Sequence, residues 1–117
     1  MTPAELQKRT FDFALAVIQF CGTLRRDEPH RIISRQLMRA ATSVGANYRA
    51  VCRARSKREF IAKLGIVEEE ADESSYWLEM LLALGDCEPA RCKALLAESG
   101  EIVAIISASR RTARAQS

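Results

Sequence analysis

The sequence predicts an all-α fold, an antiparallel up-down four-helix bundle in a single domain over residues 1–117. Three observations carry that expectation. The only prolines are Pro3, Pro29 and Pro89, and each stands where a helix can begin, because the N–H that proline lacks would be unpaired in a first turn. Apolar residues recur at alternating spacings of three and four, the period of a helix with one buried face. The stretches between these periodic segments are short and polar, which forces successive helices to lie antiparallel.

The first helix is expected over residues 3–25. Thr2 with Glu5 three residues on forms a capping box. Leu6, Thr10, Phe13, Val17, Phe20 and Leu24 then make one stripe, and Phe11, Leu15 and Ile18 widen its apolar face. Arg25 to Pro29 is a polar connection. The second helix is expected over 30–55, where a second capping box, Ser56 with Glu59, stops it and starts the third helix over 57–84. Helix three carries Phe60, Leu64, Val67, Ala71, Ser74, Leu78 and Leu81 toward the core, and Gly85 terminates it.

Pro89 opens the fourth helix, expected over 89–110, with Cys92, Leu95, Leu96, Ile102, Val103, Ile105 and Ile106 on its apolar face. Gly100 inside it costs about 1 kcal/mol relative to alanine and marks a place for a kink or a close contact. The tail after Ser109 holds Arg110, Arg111 and Arg114 and is expected to fray.

Helix two sorts into three stripes. Ile33, Leu37, Ala40, Val44, Tyr48 and Val51 face the core. Beside them lie Gln36, Ser43 and Asn47 among alanines, small or amide side chains suited to close helix packing or a subunit contact. The third stripe, with Arg35, Arg39, Arg49 and Arg53, is offset from the core stripe by about 200° and points outward. Arg55, Lys57 and Arg58 carry the basic surface around the turn. From Arg35 to Arg58 there are seven basic residues and no acid, whereas Glu59 to Glu88 holds nine acids and one base, Lys63. A solvated face is the ordinary role of charged residues on a helix. A run of bases with no interleaved acid, however, fits successive phosphates of a nucleic-acid backbone, each met by a forked donor. With Tyr48 as its sole aromatic, the run does not suggest base stacking.

If the turn centres near Ser56, antiparallel pairing sets Arg39 opposite Glu73. Part of the acid on helix three, Glu68, Glu69, Glu70, Asp72 and Glu73, then neutralises helix two within the chain. The rest points in other directions and could meet the basic face of another subunit, a heterologous contact that can close into a ring. Tyr76 and Trp77, aromatics inside an amphipathic helix, read as core or interface packing.

Several chemistries are set aside. A di-iron site in a bundle needs Glu-x-x-His pairs on two helices, and His30 is the only histidine. It lies near a connection, is expected to be exposed, and has no nucleophile motif around it. There is no glycine-rich phosphate loop. Cys21, Cys52, Cys87 and Cys92 have no Cys-x-x-Cys spacing and read as free, partly buried thiols of a reducing cytoplasm. No apolar run approaches the roughly 20 residues of a membrane span, and the amino terminus has no signal-peptide pattern. The expectation is a cytoplasmic binding protein with no enzymatic activity, cofactor or metal.

The run from Gln36 through Met38-Arg39-Ala40-Ala41-Thr42-Ser43-Val44-Gly45 to Asn47, with Ser56-Lys57-Arg58-Glu59-Phe60, Glu70-Ala71-Asp72-Glu73-Ser74 and Tyr76-Trp77-Leu78, resembles a known family. These are the four-helix-bundle proteins encoded within intervening sequences of bacterial 23S ribosomal RNA genes, often labelled S23 ribosomal proteins. The resemblance covers roughly Phe11 to Leu84 and includes polar as well as apolar positions. The commonest form of the family follows its asparagine with a short apolar residue, alanine, glutamate and glycine. Here Tyr48, Arg49, Ala50 and Val51 follow Asn47, so the chain looks like a more arginine-rich branch. The resemblance implies a ring-shaped homopentamer. The family is also similar to the accessory proteins of diversity-generating retroelements, pentameric barrels thought to bring nucleic acid and reverse transcriptase together.

The resulting expectation is a homo-oligomer that contacts structured RNA through Arg35, Arg39, Arg49, Arg53, Arg55, Lys57 and Arg58. Gln36, Ser43, Asn47 and Trp77 would lie in helix packing or at an oligomer interface. The alternative is a structural or protein-interaction oligomer whose basic and acidic faces form the subunit contacts.

Overall fold

The computed structural model describes residues 1–116, in which four helices follow one another: α1 (Pro3–Cys21), α2 (Glu28–Val51), α3 (Lys57–Leu84) and α4 (Pro89–Ala115). No strand occurs among the described residues. Each helix packs on its sequence neighbours and α4 closes back on α1, so the cross-section has four corners and the bundle measures 48 × 20 × 19 Å. The α1–α4 seam is the lightest of the four contacts.

Every residue of the stripes expected to face inward on α1 and α2 is buried, from Leu6 to Leu24 and from Ile33 to Val51. On α3, Leu64 to Leu81 are buried and Phe60 is half-buried at the end. Cys92, Leu95, Ile102 and Ile106 complete the core from α4, with Leu96, Val103 and Ile105 packed at its edge. Two buried hydroxyls bond within their own helices, Thr10 donating to the Leu6 carbonyl at 2.9 Å and Ser74 to that of Glu70 at 2.9 Å, whereas His30 Nε2 and Arg110 Nε are buried with no hydrogen-bond partner among the described residues. Ser75 and Ser99 share a 2.6 Å hydrogen bond where α3 and α4 approach closely.

The ends of the helices differ from expectation at four places. Helix α1 stops at Cys21 and not near residue 25, because the Thr23 hydroxyl donates to the Phe20 carbonyl at 2.6 Å and the chain turns, leaving Leu24 buried beyond the helix. Helix α2 starts two residues early, at Glu28: the Asp27 carboxylate accepts from His30 N at 3.1 Å and caps it. It also ends four residues early, at Val51. Tight bonds from Arg53 N to Ala50 O and from Ala54 N to Val51 O, both 3.1 Å, reverse the chain toward the Ser56 cap. Arg53 and Arg55 therefore sit in the turn and not on the helix.

Helix α4 continues to Ala115, five residues beyond the expected end, so Arg110, Arg111 and Arg114 lie on the helix. Its last turns dock on α3: Ala113 is buried, and the Arg110 guanidinium lies over Gly65 with Nη1 3.4 Å from Glu68 Oε1. A Cβ at position 65 would stand 3.1 Å from that guanidinium, so the glycine makes the seat. Gly100 produces neither kink nor close contact. It faces open space within an unbroken helix.

Two further expectations are corrected. Phe11, Leu15 and Ile18 do not widen the core: they are 59%, 45% and 44% exposed. A corner helix has two neighbours, and this face of α1 has none. His30 is buried, at 4% exposure, with Nδ1 2.6 Å from Asp27 Oδ1. It roots the α1–α2 turn, and its Nε2 lies 3.8 Å from Asp86 in the α3–α4 turn.

Candidate functional site

Arg35, Arg39 and Arg49 project from the outer surface of α2, Arg53 and Arg55 from the turn, and Lys57 and Arg58 from the first turn of α3. All seven are exposed. Their pairing separates them. Arg39 is held across the α2–α3 seam by Glu70 at 3.0 Å and by Glu73, the register expected from the turn at Ser56. The Glu73 carboxyl is held below its ordinary range by the Trp77 indole N–H and the Arg39 guanidinium. Arg39 is thus spoken for within the fold. The other six have no ion-pair or hydrogen-bond partner among the described residues.

These six do not form one site. Arg49, Arg53 and Arg55 converge on a shallow, open depression of about 460 Å³ at the α2–α3 end, floored by Ala46 and Ala50. Lys57 and Arg58 flank the same turn, where the amino-terminal dipole of α3 adds to the positive potential. Glu59 and Lys63 also line the depression, with 4.0 Å between Glu59 Oε1 and Lys63 Nζ.

Arg35 stands at the other end, about 24 Å of helix from Val51. It lines a second depression with Arg25, Arg26 and Arg31. The sequence reading missed this cluster because Asp27 and Glu28 interrupt its charge run. The i,i+4 spacing of Arg31 and Arg35 was the signal available. Arg25 is partly neutralised by Asp27 at 3.2 Å, whereas Arg26 and Arg31 have no partner among the described residues.

Gln36, Ser43 and Asn47 are half-buried along one side of α2. The Asn47 amide donates to the Ser43 carbonyl at 2.8 Å and Gln36 accepts from Arg39 Nε at 3.4 Å, so both amides find partners within their own helix. Trp77 is half-buried, donates to Glu73 Oε2 at 3.0 Å and meets Tyr76 edge-on at 4.9 Å between centroids. Its polar edge is used inside the chain.

Among the described residues no cluster of His, Cys, Asp and Glu could hold a metal ion. The four cysteines are free; Cys52 is exposed, Cys21 and Cys87 are half-buried, and Cys92 is buried. Burial and the neighbouring Cys87 push the Cys92 thiol up to about 12, so it stays protonated and packs as a small apolar group. Among the described residues no helix is long and apolar enough to cross a membrane.

The other unpartnered surface is apolar. Phe11, Leu15 and Ile18 of α1 and Thr42, Gly45 and Ala46 of α2 line a groove of about 290 Å³ with Arg49 at its edge. The helices come close there, since a Cβ on Gly45 would lie 3.4 Å from Thr10 Oγ1.

With this geometry in place, comparison with known proteins is informative. Residues 4–108 match the model of the 23S rRNA-intervening sequence protein family. A crystal structure of a protein of unknown function from the S23 ribosomal protein family of Bacteroides thetaiotaomicron superposes with a TM-score of 0.86 and 28% identity. The alignment covers 95% of this chain and 99% of that one. No curated protein matches the sequence.

Proposed function

The chain belongs to the 23S rRNA-intervening sequence protein family, and from that premise we propose that it is a non-enzymatic, homo-oligomeric cytoplasmic module that grips structured RNA by its phosphate backbone. The observation that carries this reading is the set of unpaired bases at the α2–α3 end. Arg53, Arg55, Lys57 and Arg58, with Arg49 beside them, have no carboxylate partner among the described residues, although the same chain carries acids enough to pair them. Leaving like charges crowded together costs stability, and an external polyanion relieves that cost. Forked guanidinium donors suit phosphate oxygens, and the lack of exposed aromatics among them favours backbone contacts over base stacking. Ring assembly would repeat the cluster and multiply its effective concentration along one RNA.

The test is the salt dependence of binding to a structured RNA hairpin, read by fluorescence anisotropy. Replacing Arg53, Arg55 and Arg58 by Gln should weaken binding and lower the slope of log K against log salt by roughly 2 to 3, with the thermal melt unchanged. Equal slopes in wild type and variant, or a wild type that does not bind at low salt, overturn the reading. A purely structural oligomer is the alternative, favoured by the exposed apolar face of α1, and it expects no RNA affinity at any salt.

A further inference from the structure

The amino terminus of α4 is closed differently from the other three. Thr2, Asp27 and Ser56 each accept a backbone N–H at the starts of α1, α2 and α3, whereas Glu88 at the start of α4 makes no side-chain cap. A pair of thiols stands there instead. With Glu88 as the N-cap and Pro89 opening the helix, Cys87 falls one residue before the cap and Cys92 at the fourth helical position. Side chains at those two places pack against each other in a hydrophobic staple, ordinarily built from apolar residues. Both sulfurs turn toward α3: Cys87 Sγ lies 3.7 Å from the Leu81 carbonyl oxygen and Cys92 Sγ 3.3 Å from that of Leu78. Those carbonyls are three residues apart, about 4.5 Å along the helix axis, so the two thiols share one patch of α3. Burial, and then contact with Cys87, holds the Cys92 thiol above its ordinary range. Cys92 is buried, while Cys87 is half-buried and open to small solutes. Cys21 and Cys52 lie on other segments, Cys21 against the Ser34 carbonyl at 4.0 Å and Cys52 exposed just after α2.

We propose that Cys87 and Cys92 are a redox modification site, a thiol pair that a hydroperoxide closes into an intramolecular disulfide across the start of α4. Oxidation begins at Cys87, the sulfur that solvent reaches. Its thiolate attacks one peroxide oxygen, the O–O bond breaks, and Cys87 becomes a sulfenic acid as the other oxygen leaves as water. The Cys92 sulfur then attacks the Cys87 sulfur. The S–S bond forms, the S–O bond breaks, and the departing oxygen takes the Cys92 proton and leaves as a second water. Two thiols have then given two electrons to one peroxide. A buried, protonated thiol such as Cys92 is inert by itself, and here the staple holds it beside the one sulfur it has to meet. The bridge fixes the α3–α4 turn where no side-chain cap does. It thereby fixes Asp86, whose carboxylate lies 3.7 Å from Arg25 Nη1 and 3.8 Å from His30 Nε2 in the α1–α2 connection.

The experiment treats the reduced, full-length chain with limiting hydrogen peroxide, blocks the remaining thiols and maps the tryptic peptides by mass. Cleavage after Lys63, Arg91 and Lys93 puts the two cysteines on separate peptides. The bridge is therefore read as the peptide Leu64–Arg91 joined to Cys92–Lys93, about 2 Da below the sum of their reduced masses. That linked peptide should accumulate before Cys52 is modified, the thiol count of the chain should fall from four to two, and dithiothreitol should restore it. Cys87→Ser should leave Cys92 reduced at the same dose. Cys87 lies in a turn outside the helices, so this variant keeps the fold, as circular dichroism checks. Dimers linked through Cys52, or sulfinic acid at Cys87, without the linked peptide would overturn the proposal. So would equal oxidation of Cys92 in Cys87→Ser. The wild-type peptide map decides the question independently of the variant.

Discussion

Gly85 and Gly100 occupy chemically identical residues with opposite consequences. Gly85 has φ of +82° and ends α3 with its N–H directed at the Leu81 carbonyl at 3.4 Å, a left-handed conformation that costs any L side chain about 1 kcal/mol. Gly100 sits in regular α4 with open space where a Cβ would go. Gly85→Ala should lower the thermal midpoint and Gly100→Ala should raise it, each corresponding to about 1 kcal/mol, as followed by circular dichroism. A fall in both would mean that Gly100 serves a contact outside the chain. Spacing alone identified Gly85 as a terminator. It could not tell whether Gly100 faced a neighbour, because one glycine in a helix looks the same in either case.

Among the elements, α1 is the least secured. It has the lightest seam, with α4, and Arg9 spans that seam: its Nε and Nη2 each meet the Glu98 carboxylate at 2.7 Å, and Nη2 also reaches Glu101. These contacts raise the Arg9 pKa further above its ordinary value, Glu98 contributing most. Arg9→Ala should destabilise the chain by about 1 kcal/mol, the upper end for a forked pair near the surface. Hydrogen exchange should then rise most in α1. A uniform increase across all four helices would show instead that α1 opens only with the whole bundle. The capping boxes were legible at this scale, although at Ser56 the structure makes the hydroxyl half, Ser56 accepting from Glu59 N at 3.1 Å, while Thr2 and Glu5 make both.

At the scale of the whole molecule, acid sensitivity follows from the carboxylates that tie the turns and seams. Asp27 is lowered by its hydrogen bond with His30 and by the His30 backbone N–H, Glu73 by Trp77 and Arg39, and Glu5 by Thr2. A depressed carboxyl pKa contributes stability above the unfolded value, about 4, and that contribution is lost as pH falls through the folded value. The midpoint should therefore hold between pH 7 and 5 and drop below about pH 4. Asp27→Asn should shrink that drop; an unchanged pH profile would remove Asp27 from the account. The extent of the molecule matters too. In a bundle 19–20 Å across every helix is at a corner, so apolar residues beyond one narrow stripe have no neighbour inside the chain.

The sequence by itself determined the four helices, their antiparallel order, the core stripes and the Arg39–Glu73 register, because periodicity, caps and charge alternation are local properties read along one chain. Tertiary structure alone decided which face of α1 is left uncovered, that Arg110 anchors α4 over Gly65, that His30 is buried, and which arginines are neutralised. Those outcomes depend on atoms distant in sequence meeting at a few ångströms. A stripe of Phe11, Leu15 and Ile18 has the same helical spacing whether or not a neighbour covers it. Likewise an arginine carries the same charge in the sequence whether a carboxylate 31 residues away reaches it, as Glu70 reaches Arg39, or none does.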